Sequence, residues 1–387
     1  MRKIETKLFK EFFDSERAGG LILIGCTIIS LVITNSPLGE SYRSIFQIHL
    51  AGHSLEHWIN DGLMAIFFLL IGLELEREIY KGELSNLKNA MLPIFGAIGG
   101  MIVPASVYLF FNFGTETQSG AGIPMATDIA FALGILSLLG KSVPASLKVF
   151  LTALAVIDDL GAILVIAIFY TKALIWMNLV IAMGIFGLLL LLNRLKVQSL
   201  IPYLIGGVAM WYFMLNSGVH ATITGVLLAF AIPFGSGNER STSYILQHFL
   251  HKPVAFFVLP VFALANTAIP INGEFGQLLV QDYSIGIATG LIAGKPLGIV
   301  LVTFIAVLTG LCKLPSDIDW KSIAGVGFLG GIGFTMSIFI TILAFDNAEI
   351  IDSAKLTILI SSLIAGVIGF LSLKFTLTKP KSKTINN

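Results

Sequence analysis

The sequence predicts an all-α polytopic membrane protein with twelve transmembrane helices. Three observations carry that expectation. Of 387 residues, 56% are hydrophobic and only 12% are charged, about half the roughly 25% usual for a soluble domain. The mean hydropathy is +0.89. The apolar residues also fall in long uncharged runs of the length a bilayer demands. A soluble fold with so few charges would lack the surface that keeps it dissolved. The net formal charge of +1 argues against a nucleic-acid partner, and the composition argues against disorder or collagen-like repeats. Cys26 and Cys312, the two cysteines, lie in apolar runs, too few for a disulfide scaffold or a thiolate metal site.

A hydrocarbon layer of about 30 Å takes about 20 mainly apolar residues per helix. Span 1 is the uncharged run 18–39. Span 2 grows from Gly62 to Leu73, provided that Asp61 and Glu74 lie near its ends. Span 3 is 89–115, span 4 is 120–140 with only Asp128 charged, and span 5 is 149–171 with Asp158 and Asp159. Span 6 is 173–193. The uncharged stretch 197–238 is long enough for spans 7 and 8, with a break near Asn216-Ser217-Gly218. Span 9 is 253–273, and span 10 is 283–312 with only Lys295 charged. Spans 11 and 12 are 322–345 and 356–373.

Lysines and arginines of the loops set the orientation, because they gather on the cytoplasmic side. Only Arg43, Lys172 and Lys355 fall on one side of this twelve-span arrangement. The remaining loop and terminal cations fall on the other, so both termini are expected in the cytoplasm. The chain reads as one integral membrane domain over 1–387, with a cytoplasmic N-terminus at 1–17 and a cytoplasmic tail at 375–387. The charged segment Met1–Arg17 does not read as a cleaved signal, since the apolar run behind it is long enough to span.

A charge at mid-bilayer costs about 2.5–3.5 kcal/mol on insertion scales, so such residues are rare and mark function. Four lie near the middle of spans: Asp128, Asp158, Asp159 and Lys295. Pairing as structural glue accounts for one Asp and one Lys. It leaves carboxylates with no fixed cation, and a mobile cation or a proton must complete the set. Small hard cations such as Na⁺ and Li⁺ prefer oxygen ligands, which carboxylates supply. Asp158 and Asp159 project about 100° apart on a helix, so one can face an ion while the other faces a partner such as Lys295. Thr127, beside Asp128, adds a hydroxyl or a carbonyl. The histidines (His49, His53, His57, His220, His248 and His251) lie in loops or at span ends, except His220, and suggest no transition-metal site.

Two spans read as interrupted. In span 4, Gly120, Gly122 and Pro124 precede Thr127 and Asp128; in span 11, glycines crowd the run from Gly325 to Gly333. Glycine in membrane helices often serves only close packing. Span 4 is however central in the trio 3–5 and span 11 central in 10–12. Matching interruptions are the mark of inverted-topology repeats with a binding site at mid-membrane. The broken, crossing spans 4 and 11 would then point half-helix ends at one another. Asp128 would offset the converging positive N-terminal ends and Lys295 the negative C-terminal ends.

At these residues the chain resembles the NhaA family of bacterial sodium/proton antiporters, from about Phe13 to Lys374. The signatures are WINDGLMAIFFLLIGLELERE (58–78), IPMATDIAFALG (123–134), LTALAVIDDLGAI (151–163), SGVHATITG (217–225), LIAGKPLG (291–298) and GFLGGIGFTMSIFI (327–340). The resemblance implies that Asp128, Asp159 and Thr127 bind the ion, with Asp128 and Asp159 as direct cation ligands. It implies that Asp158 pairs with Lys295. It further implies exchange of two protons for one Na⁺ or Li⁺, alternating access, no cofactor, a homodimer and activation at alkaline pH. An inner-membrane location and a part in sodium and pH homeostasis follow from the same resemblance, as does the absence of enzymatic chemistry. The family's pH-responsive cluster corresponds to Glu74, Arg77 and Glu78 with the start of span 9 at Gln247 and His248. Gln247 departs from the acidic residue common there. The bland reading of Glu74–Glu78 is a solvated helix end.

Other classes fit less well. An intramembrane aspartyl protease places its aspartates on separate helices, whereas Asp158 and Asp159 are adjacent, and a retinal protein has seven spans. A cation channel avoids a deep trap of several carboxylates. A sodium-coupled solute carrier is the principal alternative, to be told apart by solute-dependent Na⁺ uptake.

Overall fold

In a computed structural model, the chain folds as a bundle of helices with one two-stranded hairpin; residues 2–171, 174–271, 276 and 279–377 are described. Lys172 and the tail lysines beyond Leu377, used above for orientation, lie outside them. Helix α1 (Arg2–Thr34) stops before Pro37, and the short α2 (Gly39–Phe46) leaves it at 120°. Strands β1 (His49–Leu50) and β2 (His53–Ser54) pair antiparallel across Ala51 and Gly52, both of which hold positive φ.

Helix α3 (Leu55–Tyr80) is longer than the apolar core of span 2, because Asp61 and Glu74 are both accommodated inside it. It opens with a π-helical turn at Trp58–Leu63. Helix α4 (Leu87–Asn112) follows, capped by Asn86, whose side chain accepts from the Lys88 N–H. Span 4 is broken where its sequence predicts. A 3₁₀ segment, Gln118–Met125, gives way to extended backbone at Ala126, and α5 (Ile129–Leu138) resumes beyond Asp128. Helices α6 (Ala145–Phe169) and α7 (Trp176–Arg194) cover spans 5 and 6.

The stretch 197–238 divides into α8 (Ile201–Leu215) and α9 (Ile223–Ala231), with Gly218 at positive φ in the expected break. Span 9 is α10 (Thr242–Asn266) and span 10 is α11 (Asp282–Leu308). Span 11 is a bent pair, α12 (Trp320–Gly330) and α13 (Phe334–Ala344), at 47°. Span 12 is α14 (Ala348–Leu377).

Among the described residues, eight helices are long and apolar enough to cross a membrane, or up to ten if each bent pair counts as one span. Twelve is not reached by that measure, because α8 and α9, at 15 and 9 residues, are shorter than a regular crossing. The chain is a multi-pass membrane protein. Its lipid-facing side is read from exposed apolar residues such as Val180, Leu188, Ile205 and Val208 on α7 and α8, while α12 and α13 are mostly buried.

Helices α4 and α11 lie back to back at Gly99 and Gly298. A Cβ on either glycine would collide with the backbone of the other. This close approach carries Lys295, on the same helix, into the centre of the bundle. Lys355, placed in an outer loop by the sequence, is instead inside α14 and 5% exposed. Its ammonium reaches the Asn266 side chain at 3.4 Å, and Asn266 donates to Asn60 at 2.7 Å. The helix simply begins earlier than the uncharged run did.

Candidate functional site

The two interruptions meet. The Asp128 N–H donates to the Ile332 carbonyl at 2.7 Å, and the Ser337 hydroxyl donates to the Ile123 carbonyl at 2.7 Å. Unwound backbone of one span thus finds its hydrogen-bond partners in the other, which is how irregular backbone is tolerated at membrane depth.

Four half-helix ends converge there, and a charged side chain sits at each pair. Asp128 caps α5, accepting from the Phe131 N–H at 3.0 Å. Its other oxygen accepts from the Thr335 N–H at 3.1 Å, in the first turn of α13, and from the Thr335 hydroxyl. Two positive N-termini therefore face one carboxylate. On the opposite side, the 3₁₀ segment ends at Met125 and α12 ends at Gly330. The Lys295 ammonium donates to the Met125 carbonyl, and the Thr127 hydroxyl is 2.8 Å from the Gly330 carbonyl.

Lys295 directly follows a π-helical turn at Gly290–Gly294, a local widening of the helix of the kind that re-aims side chains at functional sites. The ammonium is 2.7 Å from Asp158 Oδ2, with both side chains wholly buried. The Thr127 hydroxyl is also 2.8 Å from that oxygen. Having one hydrogen, it donates either to Asp158 or to Gly330 at any moment.

Asp159 is placed differently. It is 1% exposed, and neither of its oxygens has a hydrogen-bond partner among the described residues. Asp158, Asp128 and Glu74 add negative potential at its carboxylate, and Lys295 adds positive potential. The adjacent aspartates thus separate as the helical period allows: Asp158 faces the lysine, and Asp159 has neither a hydrogen-bond nor an ion-pair partner among the described residues. No three His, Cys, Asp or Glu side chains are arranged around one metal position among the described residues. A cation here would draw on carbonyl and hydroxyl oxygens as well as carboxylates.

The second predicted cluster comes together in part. Glu74 is half-buried and lines a small pocket between α1, α3, α5 and α10 together with His251 and Ala130. Glu78 accepts from the Glu83 N–H at 3.0 Å, closing the turn after α3. The Arg77 guanidinium lies over the Tyr244 ring at 5.1 Å, and Tyr244 stacks on His248. Gln247 is half-buried and takes no part in that stack.

Several participants were not singled out by sequence. Thr335, Met125 and Gly330 act through contacts between residues 170 or more positions apart. The one local hint was a hydroxyl two residues past the glycine-rich run. Tyr244 and His251 are spaced from His248 as neighbours on one helix, a signal that was present. Glu76 is 4% exposed, and its Oε2 has no partner among the described residues; a second glutamate beside Glu74 gave little sign of that burial.

Comparison with known proteins agrees with this architecture. The family model described as Na⁺/H⁺ antiporter 1 matches residues 10–373. The chain is 73% identical over 372 residues to a protein named Na(+)/H(+) antiporter NhaA of Flavobacterium psychrophilum, covering 96% of this chain and 97% of that one. It is 60% identical over 380 residues to a protein of the same name from Cytophaga hutchinsonii, covering 98% of each. A solved structure of the sodium proton antiporter MjNhaP1 from Methanocaldococcus jannaschii superposes with a TM-score of 0.53 at 14% identity over 96% of both chains, a likeness of fold alone. The chain belongs to the Na⁺/H⁺ antiporter 1 family, the family of the bacterial NhaA antiporters.

Proposed function

We propose that this chain is a secondary antiporter that exports Na⁺, or Li⁺, in exchange for protons across the inner membrane. The observation that carries the reading is Asp159: a buried carboxylate without a hydrogen-bond partner among the described residues, beside an Asp158 that already holds Lys295. Such a group needs a mobile counter-charge, and Na⁺ and H⁺ serve equally. Asp159 is the principal ligand in this proposal. Asp128 has three of its roughly four acceptor positions occupied by Phe131 and Thr335, so it contributes one oxygen at most and mainly steadies the helix ends. Thr127 and nearby carbonyls complete the shell.

The empty, charged site is costly to carry across the bilayer, so the protonated and the Na⁺-loaded states are the ones that switch access. That condition enforces exchange. With two protons per Na⁺, one net charge moves per cycle, worth about 2.3 kcal/mol per 100 mV, and an inside-negative potential helps expel Na⁺. The remaining parts of the proposal are twelve spans with α8 and α9 counted as crossings, inverted repeats of spans 3–5 and 10–12, one domain, cytoplasmic termini, a homodimer and no cofactor. Glu74, Arg77, Glu78, Gln247 and His248 form the pH-responsive group.

The test is the apparent KM for Na⁺ between about pH 6.5 and 9 in proteoliposomes, with a pH dye and a potential-sensitive dye. Where protons occupy the site, each competing proton raises KM up to about tenfold per pH unit, while the maximal rate changes less. A KM independent of pH, or Na⁺ uptake that moves no protons, would overturn the proposal.

A further inference from the structure

At the end of the bundle that carries the loops after α3 and α11, a cleft of about 610 Å³ opens between α4, α6 and α11. Its floor is apolar: Leu92, Phe150 and Cys312 are all buried, and Pro93 and Val149 complete the walls. Its charged lining is confined to Glu83, Lys88 and Lys313, which leaves one net positive charge. Both lysines are exposed, and neither forms an ion pair among the described residues. The mechanism proposed above uses none of these groups.

We propose that this cleft binds an anionic membrane phospholipid, its phosphodiester held by Lys88 and Lys313 and its acyl chains lying along α11. Charge selects a monoanion, since one phosphate neutralises the lining. The first turns of α4 and α6 supply Asn89 and Ser146 to the rim, so the positive N-terminal ends of two helices of 26 and 25 residues lie at the same place and favour an anion by their dipoles. The Ser146 hydroxyl donates to Asp317, a carboxylate outside the lining whose negative potential next to the cleft disfavours a dianion.

A lipid, rather than free phosphate, follows from what adjoins the cleft. Leu311 in its wall is 56% exposed, and Leu308, one turn back on α11, is 75% exposed. A further turn along, Phe304 is exposed and meets Trp320 edge-on at 5.3 Å, an aromatic pair of the sort that sits at the headgroup level. The apolar floor thus continues into the outer face of the helix, and a free anion would leave that surface uncovered.

The experiment is native mass spectrometry of the delipidated full chain, titrated separately with phosphatidylglycerol, phosphatidylethanolamine and inorganic phosphate. The expected result is that phosphatidylglycerol binds more tightly than phosphatidylethanolamine, and that inorganic phosphate gives no retained adduct. Lys88→Gln and Lys313→Gln should each weaken phosphatidylglycerol about tenfold, the size of one charge-assisted hydrogen bond, while Lys313→Arg retains the affinity. These side chains are exposed, so the variants should fold, which is checked by unchanged Na⁺-driven proton movement. Equal affinity for both lipids, a retained phosphate adduct, or unchanged phosphatidylglycerol affinity in the Lys88→Gln/Lys313→Gln double variant would overturn the proposal.

Discussion

Lys295→Met keeps the length of the side chain and removes its charge, which asks whether Lys295 and Asp158 act as one unit. The two groups are 2.7 Å apart with no exposed surface. Without the ammonium, Asp158 Oδ2 keeps only the Thr127 hydroxyl, whose one hydrogen is shared with Gly330; Oδ1 has no partner among the described residues. Orphaning one member of a buried pair costs about 3–5 kcal/mol, and the Met125 carbonyl loses its donor as well. Asp158→Asn, which strands the ammonium instead, should cost a similar amount. The double variant Asp158→Asn/Lys295→Met removes both charges and should cost less than either single change, because replacing a whole buried pair is often close to neutral. Unfolding in mixed micelles with a rising SDS fraction, followed by the fluorescence of the four tryptophans, measures all three. Costs that add to within about 0.5 kcal/mol, as independent sites do, would refute the account of the pair.

Three further outcomes follow from the same geometry. Asp159→Asn preserves volume but removes the exchangeable charge, so Na⁺-dependent proton movement in proteoliposomes should fall to the level of empty vesicles. Thr335→Val takes one hydrogen bond from a charged Asp128 and should cost about 1.5–3 kcal/mol in the same SDS titration, while Thr335→Ser stays near the parent. Gly298→Val drives a side chain into the Gly99 backbone and should abolish the monodisperse peak in size-exclusion chromatography, whereas Gly184→Ala, which meets no atom within 4 Å, should leave it intact.

How much of this molecule could be read from its sequence depends on the distance over which each feature is determined. The breaks in spans 4 and 11 were legible because glycine and proline act on their own backbone, and the structure bends at those residues. That Lys295 pairs with one of the carboxylates was legible, since span 10 offers the one cation near the middle of a predicted span. Which of two adjacent aspartates turns toward that lysine was not, because a helical period fixes the angle between them and leaves its direction open; the resemblance to a family supplied it. Lys355 was misplaced for a related reason: an uncharged run marks where a helix is apolar, not where it begins, and a lysine just before the run can still be buried once Asn266, itself held by Asn60, receives it. The proposed pH-responsive group shows the same limit from the other side. The resemblance pointed to Glu74, Arg77, Glu78, Gln247 and His248, with Gln247 standing where a carboxylate is usual. In the structure the connection between α3 and α10 passes through Arg77, Tyr244 and His248. The link between the two helices therefore runs through side chains other than Gln247.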